Sequence, residues 1–103
     1  MPSYIMTYFG GAQPETPEAS QKHFAKYQEW MVSLGEAVVS PMNPFRDTVT
    51  INPDGSTETG SRTANTGYTL LEAQSMDEAV GMVTGCPFLD IGGTLEVSEL
   101  VQM

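Results

Sequence analysis

One histidine, His23, is the residue of this sequence best suited to move protons near neutral pH. It opens HFAKYQEWMVSLG, a segment whose apolar residues recur at helical spacing, so we expect it to lie on a helix. A carboxylate beside the imidazole would orient the ring and stabilise its protonated form. Amphipathic helices also carry ordinary histidines at the edge of the apolar stripe, so a purely structural role for His23 stays open.

Polar residues in a proline-rich stretch are candidates for holding a substrate. Arg46 is one of two arginines and could bind a carboxylate through two hydrogen bonds, or could pair with one of the many surface acids. Ser40 and Asn43 are candidate pocket groups, because the neighbouring prolines restrict the backbone that carries them. Aromatic residues could wall such a pocket, although they more often form a core or a dimer interface. These aromatic candidates are Tyr4, Tyr8, Tyr27, Trp30 and Phe45.

The remaining reactive residue types predict neither a metal nor a cofactor. One cysteine and one histidine cannot build a structural zinc site, and the glycine pairs lack the context of a phosphate-binding or dinucleotide-binding loop. Cys86 follows a predicted helix C-terminus, where the helix dipole disfavours a thiolate. We therefore interpret Cys86 as a structural residue.

The charge balance argues against several classes of partner. The chain has 103 residues, with 13 acidic residues against 4 Lys plus Arg and a net charge of −9. Nucleic-acid backbones and anionic membrane surfaces would be repelled, so we expect the chain to bind neither. No apolar run approaches a membrane span, no charged-then-apolar leader opens the sequence, and a lone cysteine cannot form an intrachain disulfide. These features predict a cytoplasmic protein.

The C-terminal third carries the most consistent secondary-structure signals. An apolar, β-prone run at 67–73 predicts a strand, and Ser75 with Glu78 three residues later forms a capping box that predicts a helix start. Gly85 stands where a residue in the left-handed conformation would end this helix. A glycine pair is then expected to turn the chain into a last strand at 94–101.

The first two thirds of the chain predict a strand, a long helix and a hairpin. The helix begins after Thr16, a favourable N-cap, and ends at Gly35. The strand that precedes it alternates large apolar residues on both faces, so both faces need cover. The predicted elements are a strand at 3–9, a helix at 17–34, a short strand at 37–40, an irregular loop from Pro41, and hairpin strands at 47–51 and 56–60. The predicted buried stripe of the helix consists of Phe24, Tyr27, Met31 and Leu34.

The element order β-α-β-β-(β)-α-β predicts one ferredoxin-like domain over residues 1–103. This is an α+β sandwich in which an antiparallel sheet carries two helices on one face. The other face of the sheet would stay open, although the first strand presents large apolar groups there. A homodimer that seals this face is the expected arrangement.

The segment GYTLLEAQSMDEAVGMVTGCPFLDIGGTLEV resembles the C-terminal half of the YCII-related family. It has a strand ending in Glu-Ala, a Ser-x-Asp-Glu-Ala helix, a Cys-Pro break and a Gly-Gly turn into a Glu-Val strand. Upstream, His23 resembles the histidine near the start of the family's first helix. The stretch with Pro41, Asn43 and Pro44 resembles the Gly-Pro-rich segment that follows that helix.

The resemblance implies a dimeric α/β barrel, in which two ferredoxin-like sheets pack face to face, with a pocket between each sheet and its helices. It also implies a His–Asp pair for proton transfer. His23 corresponds to the histidine, and Asp47, the first acid after the proline-rich stretch, is the candidate partner. An aspartate at the start of a strand also commonly caps a local N–H, so a structural role for Asp47 stays open.

Two functions of different classes fit these residues. The first is a small dimeric enzyme, a cofactor-free lyase or isomerase, that acts on a small organic acid or carbonyl compound. In it, His23 would move the proton, Asp47 would orient the imidazole, and Arg46, Asn43 or Ser40 would hold the substrate. The second is a non-catalytic dimeric binding or accessory domain. Whether the chain is an enzyme at all is left open by its sequence.

Overall fold

Four antiparallel strands form the main sheet, in an order typical of the ferredoxin-like fold. The computed structural model describes residues 1–12 and 15–101. Its sheet has the order β2-β5-β1-β6, and a separate two-stranded sheet pairs β3 with β4. The predicted ferredoxin-like α+β class is therefore confirmed. The elements are β1 (Ser3–Gly10), α1 (Pro17–Leu34), β2 (Val38–Pro44), β3 (Val49–Ile51), β4 (Thr57–Thr59), β5 (Asn65–Glu72), α2 (Met76–Val83) and β6 (Gly93–Glu99), with short 3-10 turns at Gly35–Ala37 and Pro87–Ile91.

Alternation along β1 decides which face of the sheet the helices cover. Tyr4, Met6 and Tyr8 are buried, and the residues between them are half-buried. Tyr27 of α1 and Val83 of α2 join Met6 and Tyr8 in one core cluster, so both helices lie on the same face. The opposite face of the sheet has no covering layer among the described residues, and the molecule is only 18 Å thick along its shortest axis.

Both helices begin where the sequence predicts. Thr16 Oγ1 accepts a hydrogen bond from the N–H of Ala19 at 3.1 Å, and Ser75 Oγ accepts one from the N–H of Glu78 at 3.2 Å. The Glu78 carboxylate reaches back to the N–H of Gln74 at 3.4 Å, one residue earlier than a standard capping box requires.

The predicted left-handed ending of α2 is wrong. Gly85 is not among the described residues with positive φ. The helix instead ends at Thr84 in the right-handed region, and the N–H of Cys86 then donates to the carbonyl of Val83 at 3.0 Å. Gly85 lies against Trp30, where an added Cβ would be 3.5 Å from the indole nitrogen. That indole donates to the carbonyl of Met82 at 3.2 Å, which ties α1 to the end of α2.

One member of the predicted helical stripe does not join the core. Phe24 is 51% exposed, whereas Tyr27 is buried, and Met31 and Leu34 pack against the core. Trp30 packs there too, so the apolar face of α1 is rotated toward Trp30 relative to the predicted stripe. Phe24 lies instead at the rim of a cavity, which is described below.

The strand β2 is longer than its prolines predict. The sequence favours a short strand at 37–40 and a loop from Pro41, but β2 continues to Pro44 with two register shifts. A proline cannot donate to a ladder, yet β2 is an edge strand with a free side, so the missing N–H groups are tolerated. The predicted hairpin forms as the separate pair β3 and β4.

No helix in the described ranges combines the length and the apolar character needed to cross a membrane.

Candidate functional site

A cavity of about 230 Å³ lies between α1 and the sheet. Its walls are mostly apolar and aromatic, and they include Phe24, Met42 and Phe88. His23, Tyr8 and Tyr27 line the same space and are the side chains that could do chemistry there. An engineered apolar cavity of about 150 Å³ can hold benzene, so this cavity is large enough for one substituted ring.

The helical repeat of α1 brings His23 to the cavity. Residues four apart lie on one face of a helix, so His23 and Tyr27 present their side chains to the same space. His23 is half-buried, and its imidazole makes no hydrogen bond within the described parts of the chain. Both ring nitrogens are therefore available to hydrogen-bond with a ligand or with water.

A buried cluster of three hydroxyl groups joins two residues that line the cavity, Tyr8 and Tyr27, to Thr69 in the sheet. The hydroxyls of Tyr8 and Tyr27 are hydrogen-bonded to each other, and Tyr8 Oη lies 2.6 Å from Thr69 Oγ1. Thr69 is fully buried and donates its proton to the carbonyl oxygen of Pro41 in β2. Burial raises the pKa of Tyr27 to about 12, because the phenolate form would lose its hydration. The cluster thus fixes the positions of both tyrosine rings beside the cavity.

Phe88 closes one side of the cavity and depends on two glycines. Its ring packs edge-on against Tyr8, with centroids 5.1 Å apart and an interplanar angle of 79°. A Cβ added at Gly93 would lie 2.2 Å from this ring, and one at Gly11 would lie 2.9 Å from it. The glycine that opens β6 therefore provides room for the aromatic wall as well as for the turn that the sequence predicts.

A third glycine allows β2 and β5 to approach closely beside the cavity. A Cβ added at Gly67 would lie 2.8 Å from the carbonyl oxygen of Asn43 and 3.1 Å from the Cα of Pro44. Gly67 and Pro44 both line the cavity. The close approach of β2 to β5 beside the cavity thus requires that position 67 carry no side chain.

The structure does not bring Asp47 or Arg46 to His23. Both are exposed in the segment between β2 and β3, and neither lines the cavity. Within residues 1–12 and 15–101, the only ion pair joins Arg62 to Glu58, at 3.4 Å. Arg46 instead lines a separate shallow groove near Ala64. The proposed roles of Asp47 and Arg46 stay predictions.

Ser40 and Asn43 lie on the open face of the sheet rather than in the cavity. Ser40 pairs in register with Leu70, and Asn43 pairs with Tyr68, whereas the neighbouring β5 residues Thr69 and Leu71 point to the helices. The Asn43 side-chain amide donates to Ser40 Oγ at 3.0 Å and to the carbonyl of Tyr68 at 3.3 Å. In the single chain these two groups stabilise the irregular edge strand, and their predicted role in substrate binding stays a prediction.

Sequence reasoning missed Thr69 and Phe88. Thr69 reads as one polar residue in an apolar strand, and only its placement opposite Tyr8, Tyr27 and Pro41 makes it the centre of the hydroxyl cluster. Phe88 follows Pro87 without any periodic signal. The sequence feature that relates most directly to Phe88 is the glycine pair at the start of β6, because Gly93 leaves room for the ring.

The described residues contain no group of three or more His, Cys, Asp or Glu side chains that could hold a metal ion. Cys86 is 2% exposed, and burial raises the pKa of its thiol to about 11. Its side chain packs in the core beside Tyr27 and Val83, consistent with a structural residue.

No protein-family model matches the chain, and no curated protein matches it in sequence. Among solved structures, the chain is similar to 5-chloro-2-hydroxyhydroquinone dehydrochlorinase from Burkholderia phenoliruptrix AC1100, determined in complex with 2,5-dihydroxybenzoquinone. The TM-score is 0.55 and the identity 16%, and the alignment covers 98% of this chain and 95% of the other. This likeness shows a related fold over nearly the whole length of both chains, whereas no sequence comparison establishes membership of the YCII-related family.

Proposed function

We propose that this chain is a small-molecule enzyme in which His23 transfers a proton to or from a single-ring carbonyl compound or organic acid, in a lyase or isomerase reaction. The observation that carries the proposal is the position of His23, the only histidine, in the cavity of about 230 Å³ beneath α1. The structural neighbour, with related fold, acts on a hydroxylated ring and was determined with a ring compound of that size.

The chemistry needs only a free imidazole and a sheltered ring. A neutral His23 would take a proton from a carbon next to a carbonyl group, or from a ring hydroxyl, and become the imidazolium. A lyase would then expel a leaving group from the neighbouring carbon, and an isomerase would return the proton to a different carbon. Apolar side chains such as Phe88 and Met42 reduce the contact of a bound ring with water, which would strengthen the interaction between the imidazolium and the anionic intermediate. Proton transfer of this kind requires no cofactor.

Asp47 is proposed to orient the imidazole, as the resemblance to the YCII-related family implies. Because Asp47 lies outside the cavity in the single chain, this role requires residues 45–48 to approach α1 when a ligand binds or when two chains associate. Asp47→Asn should then reduce turnover by at least about tenfold. The matched control is Glu36→Gln, which neutralises another exposed acid. Equal turnover in both variants would remove Asp47 from the mechanism.

Hydrogen–deuterium exchange tests the role of His23 without knowledge of the natural substrate. Purified protein is mixed with 2,5-dihydroxybenzoquinone or a small cyclic ketone in D2O, and loss of the exchangeable C–H signal is followed by NMR. We expect the chain to accelerate exchange and His23→Ala to lose at least about a hundredfold of that acceleration. Lys26→Ala, on the exposed side of the same helix, is the control. Equal acceleration by the wild type and His23→Ala would end the proposal.

The second candidate function is ligand binding without catalysis. It is favoured by one specific observation, that no carboxylate contacts His23 within the described residues. A chain of this kind would bind single-ring compounds in the cavity and leave their exchange rate unchanged. Binding without exchange in the same NMR experiment would therefore select this candidate.

We also propose that the chain acts as a homodimer that closes the open face of the sheet. Ile5 of β1 pairs directly with Leu70 of β5 on this face, and both are half-buried although no layer formed by residues 1–12 and 15–101 covers them. Sedimentation at micromolar concentration should give a dimer. Leu70→Glu should dissociate it, whereas Val32→Glu, on the exposed side of α1, should not. A wild-type monomer would contradict this proposal.

A cytoplasmic location is the remaining part of the proposal. A single buried thiol is suited to a reducing compartment, where cysteines stay unpaired. Cell fractionation would test it, and recovery of the protein from the culture medium or a periplasmic extract would contradict it.

A further inference from the structure

We propose that the free edge of β6 and the groove between β6 and α2 form a second binding site, which takes a peptide segment of alternating apolar and basic residues as an added antiparallel strand. Binding of this kind combines backbone hydrogen bonds along a sheet edge with pockets for alternate side chains. The inference goes beyond the proposed function, because this groove shares no lining residue with the cavity that contains His23.

The register of β6 shows which of its backbone groups face away from the sheet. The strand has one neighbour in the sheet, β1. The N–H of Leu100, just beyond the end of β6, donates to the carbonyl oxygen of Ser3 at 2.8 Å. Hydrogen-bonded positions alternate along an antiparallel pair, so Glu96 also bonds to β1, whereas Leu95 and Val97 direct their N–H and C=O groups outward. These outward groups have no hydrogen-bond partner within residues 1–12 and 15–101.

The free backbone groups border an apolar groove of about 430 Å³. Leu95 and Val97 line it from the sheet, Val80 and Val83 line it from α2, and Leu89 lines it from the 3-10 turn before β6. Val80 and Leu89 are 42% and 40% exposed, so part of this apolar lining is open to a partner. An apolar cavity of about 150 Å³ can hold benzene, so the groove has room for two aliphatic side chains.

The pleat of β6 determines the residue pattern of an added strand. Side chains opposite each other on neighbouring strands lie on the same face of the sheet. Residues opposite Leu95 and Val97 would therefore point into the groove and should be apolar. The residue between them would lie on the other face, beside the carboxylate of Glu96, which is exposed and forms no ion pair in the described parts of the chain. A lysine or arginine at that position would form a cross-strand ion pair.

The charge around the groove favours a basic partner over a second copy of this chain. Asp90 follows Leu89, Glu96 and Glu99 belong to β6, and residues 63–103 contain no lysine or arginine. Two copies paired through β6 would bring their own carboxylates together, and like charges on neighbouring strands are destabilising. Acidic side chains on an edge strand thus oppose pairing between copies, while they attract a cationic segment.

Synthetic peptides test the residue pattern. The probe is Lys-Val-Lys-Val-Lys, blocked at its C-terminus and joined to fluorescein through Gly-Gly, and binding is followed by fluorescence anisotropy in about 0.15 M salt, which screens non-specific attraction. Lys-Gly-Lys-Gly-Lys keeps the charge without the apolar side chains, and Glu-Val-Glu-Val-Glu keeps the valines with the opposite charge. We expect both to bind at least about tenfold more weakly than the probe. No binding of the probe, or equal affinity for the valine and glycine peptides, would overturn the inference.

Backbone methylation distinguishes strand addition from simple burial of the valines. In an antiparallel addition, the valines opposite Leu95 and Val97 direct their N–H groups to β6, and the central lysine directs its N–H to solvent. Methylation of one valine amide should weaken binding at least about tenfold, because a hydrogen bond is lost and the methyl group meets β6. Methylation of the central lysine amide, the matched control, should change the affinity by no more than about twofold. Equal effects at the two positions would contradict the strand pairing.

Variants of the protein test the place of binding, with far-UV circular dichroism as the check that each is folded. Val80→Lys fills the groove and adds a positive charge, so it should weaken the probe at least about tenfold, whereas Val32→Lys, on the exposed side of α1, should change the affinity by no more than about twofold. Glu96→Lys, at an exposed position, should weaken the probe about threefold and strengthen Glu-Val-Glu-Val-Glu by a similar factor. Glu29→Lys is its control. If the groove variants affect binding no more than their controls, the peptide binds elsewhere and the inference is overturned.

Discussion

Replacing Gly93 by alanine should destabilise the fold by about 1.5–4 kcal/mol, because it displaces the ring of Phe88. A Cβ at this position would lie 2.2 Å from Cε2 and 2.3 Å from Cδ2 of Phe88. Gly93 is not among the glycines with positive φ, so the alanine backbone itself is not strained. The whole cost therefore comes from the collision between the new methyl group and the ring.

The magnitude follows from what the ring loses when it moves. To reach ordinary contact distance, Phe88 must shift by roughly 1 Å or more, which a well-packed core resists at about 1–3 kcal/mol. The shift also disturbs the edge-to-face contact with Tyr8, a kind of contact worth about 0.5–1.5 kcal/mol. Because these two contributions partly overlap, we expect a total cost of about 1.5–4 kcal/mol.

Urea unfolding followed by far-UV circular dichroism measures this change, with two other glycines as controls. Gly92→Ala meets no atom within 4 Å but has φ near +77°, so it should cost only about 1–2 kcal/mol of backbone strain. Gly81→Ala, in α2 with open space around it, should stabilise the fold by about 0.5–1 kcal/mol. Combining Gly93→Ala with Phe88→Ala should abolish most of the cost of the glycine change. If Gly93→Ala lowers the free energy of unfolding by no more than Gly92→Ala does, the packing of the Phe88 ring against Gly93 is wrong.

Three further predictions concern a helix cap, a buried tyrosine and the buried thiol. Ser75→Ala should lower the free energy of unfolding by about 1 kcal/mol, because the hydrogen bond to the N–H of Glu78 is lost. A change below about 0.3 kcal/mol in urea unfolding would contradict the role of Ser75 as the N-cap of α2. The free energy of unfolding should fall as the pH rises from about 10 to about 12, because the unfolded chain loses the Tyr27 proton near pH 10 and the folded chain holds it until about pH 12. Tyr27→Phe should flatten this part of the profile of unfolding free energy against pH. An identical profile in the variant would contradict the raised pKa of Tyr27. Iodoacetamide at pH 8 should alkylate Cys86 at least tenfold more slowly in the native protein than in urea, since the thiol is buried and its pKa is raised to about 11; equal rates by mass spectrometry would show that it is accessible.

The parts of the fold that were predictable from sequence depend on contacts between near neighbours in the chain. Thr16 and Ser75 cap helices through hydrogen bonds to residues three positions later, and such short-range patterns can be recognised in the sequence. Alternation in residues 3–9 likewise predicts which side chains of β1 share a face, although it does not predict which of the two apolar faces the helices cover. The strand order follows from these elements because few topologies connect them with short, right-handed crossovers.

The parts that were missed depend on where an element lies in the sheet. The continuation of β2 through Pro41 is possible only because β2 is an edge strand, a fact that no local pattern contains. The same register places Ser40 and Asn43 on the open face, although their proline-rich surroundings are typical of a loop that lines a pocket. A predicted pocket residue on a strand therefore needs its register before it can be assigned to a face.

The candidate site also has a part that depends on near neighbours in the chain and a part that depends on the assembled sheet. His23 and Tyr27 are four residues apart on one helix, so their shared face is predictable, and the cavity lies on that face. The buried hydroxyl cluster beside the cavity is not predictable, because it requires Tyr8, Thr69 and Pro41 to meet from three strands. It follows that the sequence could nominate His23 as a candidate, whereas the side chains that surround it in the cavity emerge only when the sheet is assembled.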